Sequence, residues 1–127
     1  MVQKGTLLNI IDNSGAKYAE CIGIFGGYRK RYAAIGDLVM VAVKSIRIKR
    51  RENVKAKKGG VYMAVIVRTK KYNSYYTSDA LKFNENAAVL LTKQKKALGT
   101  RIFGPLPSTL RRTKFLKLLS MASGAVA

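Results

Sequence analysis

Over the first ninety residues, apolar side chains fall at every second position or in short unbroken runs, and turn-forming residues interrupt them at short intervals. This patterning predicts β-strands near residues 6–11, 18–24, 37–44, 61–69 and 87–91, arranged as a small antiparallel barrel or sandwich. Asp12-Asn13-Ser14-Gly15 separates the first strand from the second with residues that tolerate positive φ or turn the backbone through a short polar side chain. Gly26-Gly27, Gly36-Asp37 and Gly59-Gly60 mark the next boundaries. Leu38–Val43 and Val61–Val67 are apolar at nearly every position, so each is expected to be covered on both faces.

The cover is expected from the C-terminal segment. Pro105 and Pro107 should end extended structure, and Ser108 or Thr113 should cap a short helix. At about 100° per residue, Phe115, Leu118, Leu119 and Ala122 share one stripe, with Lys114 and Lys117 along its margin. A helix docked on the barrel by that stripe is the reading, with residues 123–127 fraying. One domain is expected over 1–127, with a barrel at about 1–92 and a C-terminal loop and short helices at about 93–122.

Composition sharpens this picture. A chain that is 48% hydrophobic can build a core, which separates it from a disordered basic tail. No run approaches the ~20 apolar residues that cross a bilayer. Cys21 stands alone and within an apolar stretch, so it reads as a small core residue in a protein that does not use disulfides. The first strand-like segment starts at Thr6, and no leader peptide is expected ahead of it.

Charge changes the picture most. Twenty-five Lys and Arg stand against six Asp and Glu, a net +19 that the chain cannot neutralise itself, which points to nucleic acid as the partner. Residues 44–58 hold Lys44, Arg47, Lys49, Arg50, Arg51, Lys55, Lys57 and Lys58 against Glu52 alone. Eight cations between two apolar strands cannot be core; they form a projecting loop or hairpin expected to become ordered only when it meets phosphates. Arg29, Lys30 and Arg31 lie between Tyr28 and Tyr32, a combination suited to a phosphate backbone with rings available for stacking. Arg68, Lys70 and Lys71 leave the fourth strand ahead of Tyr72, Tyr75 and Tyr76. With Lys17 beside the first turn, these cations make up the expected RNA-binding set. Their spread over several strand ends favours burial in a large RNA assembly over one binding groove.

Catalysis is not expected. General acid–base work needs titratable groups gathered in a cleft, and this chain has no His. Asp12, Glu20, Asp37, Glu52, Asp79 and Glu85 are scattered, most of them beside turn residues. One Cys and no His exclude the usual zinc sites, and neither a P-loop nor G-x-G-x-x-G is present. No cofactor, metal or membrane partner is expected.

Several stretches then carry a family resemblance: LLNIIDNSGAKYAECI at 7–22, RYAAIGDLVMVAVK at 31–44, VYMAVIVRTKK at 61–71, FNENAAVLL at 83–91, GTRIFGP at 99–105 and LRRTKFLKLLSMA at 110–122. Together they resemble the large-subunit ribosomal protein fourteen family along nearly the whole chain. The resemblance implies a mainly β fold, a small five-stranded β-barrel with a basic hairpin-like extension and short C-terminal helices, that binds large-subunit rRNA. It further implies a place at the subunit interface beside the sarcin-ricin region, contact with a neighbouring large-subunit protein, and a bridge to small-subunit rRNA. A ribosome-silencing factor docks on the family; its contacts map onto Thr100 and Arg101 in GTRIFGP and onto Lys117 in KFLK.

The chain also departs from the family's bacterial pattern. It is a few residues longer between Val43 and Val61, and it reads Ser74-Tyr75-Tyr76-Thr77-Ser78 where basic residues and a Pro-Asp-Gly turn are common. A looser turn is expected there, with local RNA contact shifted from charge towards stacking. Lys outnumbers Arg sixteen to nine, and Ile, Asn and Tyr are plentiful, as an A+T-rich genome gives. These features point to an organellar protein, in a mitochondrial matrix rather than a bacterial cytoplasm or chloroplast. The competing reading from the residues alone is a free regulatory RNA-binding small barrel, which charge gathered on one sheet face would favour.

Overall fold

The computed structural model describes residues 2–47, 55–70, 73–74, 80–108, 110, 115 and 117–126. Strands β1 (Leu7–Ile10), β2 (Ala16–Ile24), β3 (Leu38–Ile46) and β4 (Val61–Arg68) follow one another antiparallel. A short ribbon of β5 (Asn73–Ser74) and β6 (Ala80–Leu81) comes next, and β7 (Ala87–Leu91) closes a five-stranded barrel. Closure is antiparallel to β4 but parallel to β1, one junction that an all-antiparallel reading did not include. All five barrel strands lie where the alternation of apolar residues puts them. The loosened turn expected around Tyr75, Tyr76 and Thr77 lies outside the described residues.

Alternation decides which side chains enter the barrel. Leu8, Ile10, Ala19, Cys21, Val39, Val41, Val43, Ala64, Ile66, Ala88 and Leu90 form its interior. Burial pushes the Cys21 thiol above its ordinary pKa, in keeping with a filler role. Val2 pairs with Ala33 through two backbone hydrogen bonds ahead of β1, and Ala56 joins the same interior cluster beyond its far end.

A second apolar cluster lies outside the barrel. Val65, Val67, Ala87, Val89 and Leu91 point away from the interior and are buried under Ile102, Leu106, Leu110 and Leu118. Complete burial of such aliphatic side chains contributes about 1.5–3 kcal/mol each. The both-faces expectation therefore holds for Ala64–Val67 of β4, while Val61 at the start of that strand is exposed and Tyr62 and Met63 are half-buried. It fails for β3, where Met40 and Ala42 stay partly exposed because the covering cluster reaches Leu38 alone among the outward residues of that strand.

The cover itself differs from the expected helix. Residues Ile102–Pro107 form β8, a short α1 spans Lys117–Met121, and β9 (Ala122–Val126) runs parallel to β8. Pro105 sits inside β8 rather than ending extended structure, whereas Pro107 is its last residue, where the strand stops as expected. Phe103 N near the start of β8 donates to the Ile11 carbonyl, but from Pro105 onward the strand pairs with β9 alone and needs ladder donors on one side only, which tolerates proline. Ala122 leaves the helical stripe for β9, and residues 123–126 are held in the parallel ladder instead of fraying.

Arg68 locks this cover to the barrel. Its residue is 8% exposed, and its Nε donates to the Pro105 carbonyl at 3.0 Å, Nη2 to the Phe103 carbonyl at 2.6 Å and Nη1 to Glu85 Oε1 at 2.7 Å. Asn9 Nδ2 donates to the other Glu85 oxygen at 2.6 Å. One guanidinium thus ties the end of β4, the approach to β7 and the middle of β8. Gly104, at φ +81, lies where any Cβ would collide with that guanidinium, so the position needs glycine on both counts.

Asp12 locks the first turn. Its buried carboxylate accepts hydrogen bonds from the Ser14 backbone at 3.2 Å, from the Ser14 hydroxyl, and from Leu90 N of β7 at 3.1 Å. Burial nonetheless raises its pKa, outweighing those bonds and the charge of Arg47.

Replacing Arg68 by Ala should destabilise the protein by about 3 kcal/mol, the low end for removing one partner of a buried pair, because Glu85 is partly solvated. Arg68→Lys should recover little of this in urea titration, since one ammonium cannot reach acceptors in three directions. For Asp12, a folded pKa above the unfolded value of about 3.9 means that its contribution is fully present below that pH and declines as pH rises through the folded pKa. The stability of wild type minus that of Asp12→Asn should accordingly fall as pH rises from about 4; a difference independent of pH would contradict this assignment.

Candidate nucleic-acid interface

Most of the exposed cations singled out in the sequence stand where loops leave the barrel, with Lys17 and Lys44 on strands. Between β3 and β4, residues 55–60 are held against the barrel: Lys55 N and Ala56 N donate to the Ser14 carbonyl at 3.0 and 3.2 Å, and Gly59 N donates to Val43 O at 2.8 Å. Lys57 N donates to the Tyr62 hydroxyl at 3.0 Å. With Ala56 buried beneath them, Lys55, Lys57 and Lys58 project from an anchored base. This part of the extension therefore carries its own structure, whereas Lys49, Arg50 and Arg51 lie outside the described residues.

At the other end of β3, the loop out of β2 turns at Gly26 and Gly27, and Arg29 adopts a left-handed φ of +64. Tyr28 is 92% exposed, with the Arg29 guanidinium 5.4 Å from its ring centroid. Arg31 and Tyr32 are also exposed. Lys30 is different: its ammonium pairs with Asp37 at 3.1 Å, and Asp37 also accepts from Ala34 N at 2.8 Å, which braces the loop.

The remaining cations divide in the same way. Lys17 is exposed on β2 with its ammonium 5.3 Å from the Tyr18 ring centroid, and Lys70 is exposed beyond β4. Lys44 is exposed and 3.5 Å from Glu20, a solvated pair of small energetic weight. Arg47 is half-buried, donating from Nη2 to the Ile10 carbonyl at 3.0 Å. Arg68 is turned inward by the three bonds described above, so the guanidinium expected at an RNA surface is spent within the fold. Lys71 lies outside the described residues.

One electrostatic consequence follows. Each acid among the described residues is engaged inside the chain: Asp12 by Ser14 and Leu90, Glu20 by Lys44, Asp37 by Lys30 and Ala34, Glu85 by Arg68 and Asn9. The exposed cations at both ends of β3 keep their charge for something outside. Among the described residues no group of His, Cys, Asp or Glu could hold a metal ion, and no helix is long and apolar enough to cross a membrane.

Thr100 and Arg101 are positioned by a residue that the sequence marks only as part of a turn. Asn13 Oδ1 accepts from Thr100 N at 2.7 Å and Arg101 N at 3.1 Å, while its Nδ2 donates to the Thr100 hydroxyl at 2.8 Å. Its own backbone N–H donates to the Arg101 carbonyl at 3.1 Å. Arg101 is exposed, and its guanidinium and that of Arg47 each lie 5.6 Å from the Phe103 ring centroid. Lys117 is exposed at the first turn of α1, and the pairing of Ile102 with Ala122 joins its segment to β8. No local sequence signal connects Asn13 to residues 87 and 88 positions away.

Replacing Asn13 by Ala removes the acceptor of two solvent-accessible backbone donors, a loss of about 0.5–1.5 kcal/mol per hydrogen bond in local stability. Hydrogen exchange at the Thr100 and Arg101 amides should then accelerate by about tenfold or more, with the exchange of Leu90 in the barrel little changed.

A family model described as ribosomal protein L14p/L23e matches residues 1–126. Proteins of this kind are structural, non-enzymatic constituents of the large ribosomal subunit whose partners are rRNA and other ribosomal proteins. That match takes in the barrel, the basic loops around it and the parallel sheet laid across it, and a chain that resembles the family over all of these belongs to the ribosomal protein L14p/L23e family.

Proposed function

We propose that this protein lies at the face of the large subunit that meets the small one, beside the sarcin-ricin region, and contributes to an RNA bridge between the two. The exposed cations Lys17, Arg29, Arg31, Lys44, Lys55, Lys57, Lys58 and Lys70 supply phosphate contacts, joined by Lys49, Arg50, Arg51 and Lys71. Lys30 and Arg47 contribute from braced positions. One observation carries the reading: the described acids are engaged within the chain, while Arg29 and Arg31 at one end of β3 and Lys55, Lys57 and Lys58 at the other have no ion-pair partner among the described residues. Charge distributed in this way suits a protein inserted among several RNA helices, holding phosphates without reading base sequence. A free barrel reading one strand needs its charge gathered on one face.

Thr100, Arg101 and Lys117 form the surface for a ribosome-silencing factor in this proposal. Support comes from the rigid Asn13 clamp under Thr100-Arg101 and from the sheet that links this segment to α1. The setting is a mitochondrion, supported by the excess of Lys over Arg and by seven tyrosines in a short chain.

Tagged protein should cosediment with large subunits from purified mitochondria. Its affinity for rRNA fragments should fall with salt, each neutralised phosphate adding about 0.7–0.9 to the slope of log affinity against log salt. Reversing Arg29, Arg31, Lys57 and Lys58 to Glu should prevent entry into subunits while leaving thermal stability nearly unchanged. Reversing Arg101 and Lys117 should preserve entry but strip the silencing factor from the particles. Recovery of the protein only in RNA-free fractions would contradict the ribosomal placement, and exclusion of the Arg101/Lys117 variant from subunits would reassign those residues to RNA.

A further inference from the structure

A groove of about 850 Å³ opens between the barrel wall and β8. This falls within the roughly 300–1,000 Å³ of sites that hold small molecules. Its chemistry divides into a saturated end and an open floor. At the saturated end, Arg68, Glu85 and Asn9 use their polar groups on one another and on β8, so they shape the groove but have little left for a ligand. On the floor, Tyr18 pairs in register with Asn9 on one side and Ser45 on the other. Among the described residues neither the Tyr18 nor the Ser45 hydroxyl has a hydrogen-bond partner, although both residues are half-buried.

Flat surfaces and positive charge complete the site. Phe103 forms a wall, with the Arg47 guanidinium against its ring. Arg47 spends one donor on the Ile10 carbonyl and keeps its other donors, and Lys17 stands at the edge with no ion-pair partner among the described residues. Because Arg68 already neutralises Glu85, the free groups of the groove carry net positive charge. A ligand that matches these features is flat, anionic and able both to give and to accept hydrogen bonds along one edge.

Resting on the rRNA-binding reading, we propose that this groove receives one unpaired nucleotide of RNA. Its base lies against the Phe103–Arg47 and Tyr18 surfaces, its edge meets the Tyr18 and Ser45 hydroxyls, and its phosphate lies between Lys17 and Arg47. A base within a duplex is stacked on both sides and cannot enter a recess of this kind, whereas a bulged or looped-out base can. Bulk neutralisation of phosphates needs none of these groove features, so the site adds recognition of RNA shape to binding that is otherwise electrostatic.

The test uses the full chain and three labelled RNA hairpins at near-physiological salt. One carries a single-nucleotide bulge, made with each base in turn; one has an abasic bulge; one is fully paired. For at least one base, the bulged hairpin should bind about tenfold more tightly than the paired one, in line with the energy of stacking one base on an aromatic ring. The abasic bulge should lose most of that advantage. Ser45→Leu, which fills the floor without changing charge, should abolish the preference while leaving affinity for the paired hairpin unchanged. Equal binding of all three hairpins, or an equal loss on all three with Ser45→Leu, overturns the groove assignment and leaves electrostatic rRNA binding intact. Binding to none overturns both. Adenosine monophosphate bound in a Ser45-dependent way without any bulge preference would assign the groove to a free nucleotide, against the proposal.

Discussion

A single buried guanidinium organises this protein. Arg68 carries a positive charge at a place where the chain has almost no solvent, and burial of a charge is tolerated only when it is paired and fully hydrogen-bonded. Its three acceptors lie on Glu85, Phe103 and Pro105, so satisfying the charge requires the approach to β7 and the middle of β8 to be in place at once. The barrel and its cover are therefore coupled by polar geometry as well as by apolar contact. Gly104 marks how closely β8 approaches: the guanidinium occupies the space that any other side chain would need.

The same economy governs the remaining acids. With few carboxylates and many cations, three of the four described acids are placed where they serve the fold: Asp12 in the first turn, Asp37 bracing the loop with Tyr28 and Glu85 on Arg68, while Glu20 makes only a solvated pair with Lys44. Structural demand thus removes the negative charge that would otherwise screen the surface. What remains outside is almost entirely positive, and a protein so built is suited to RNA in the same degree to which it cannot neutralise itself.

Coverage of the barrel is uneven. Strands β4 and β7 are apolar on both faces and lie beneath β8 and α1. The opposite wall, formed by β1, β2 and β3, leaves its outer face partly open, with Tyr18, Ser45 and Lys44 on it. Where β8 passes from the covered side to the open side, the groove lined by Tyr18, Ser45, Arg47 and Phe103 appears. Its end wall is the hydrogen-bonded set of Arg68, Glu85 and Asn9.

The amino-acid sequence by itself determined the five barrel strands, the turn chemistry between them, the burial of Cys21 and the partner class. These depend on local alternation, on glycine and Asx residues, and on a sum of charges, none of which needs to know what lies across the fold. Tertiary structure decided the rest. Arg68 and Arg29 look alike in sequence, each a cation at the end of a strand, yet one is buried on three acceptors and the other is exposed on a tyrosine ring. Asn13 looks like a turn residue and is also the clamp on Thr100 and Arg101, 87 and 88 residues away. The C-terminal stripe reads as a helix, but parallel pairing with β8 drew Ala122–Val126 into a strand. In each case the deciding partner is remote along the chain, and backbone donors, buried charges and sheet edges are satisfied by whatever the fold brings beside them.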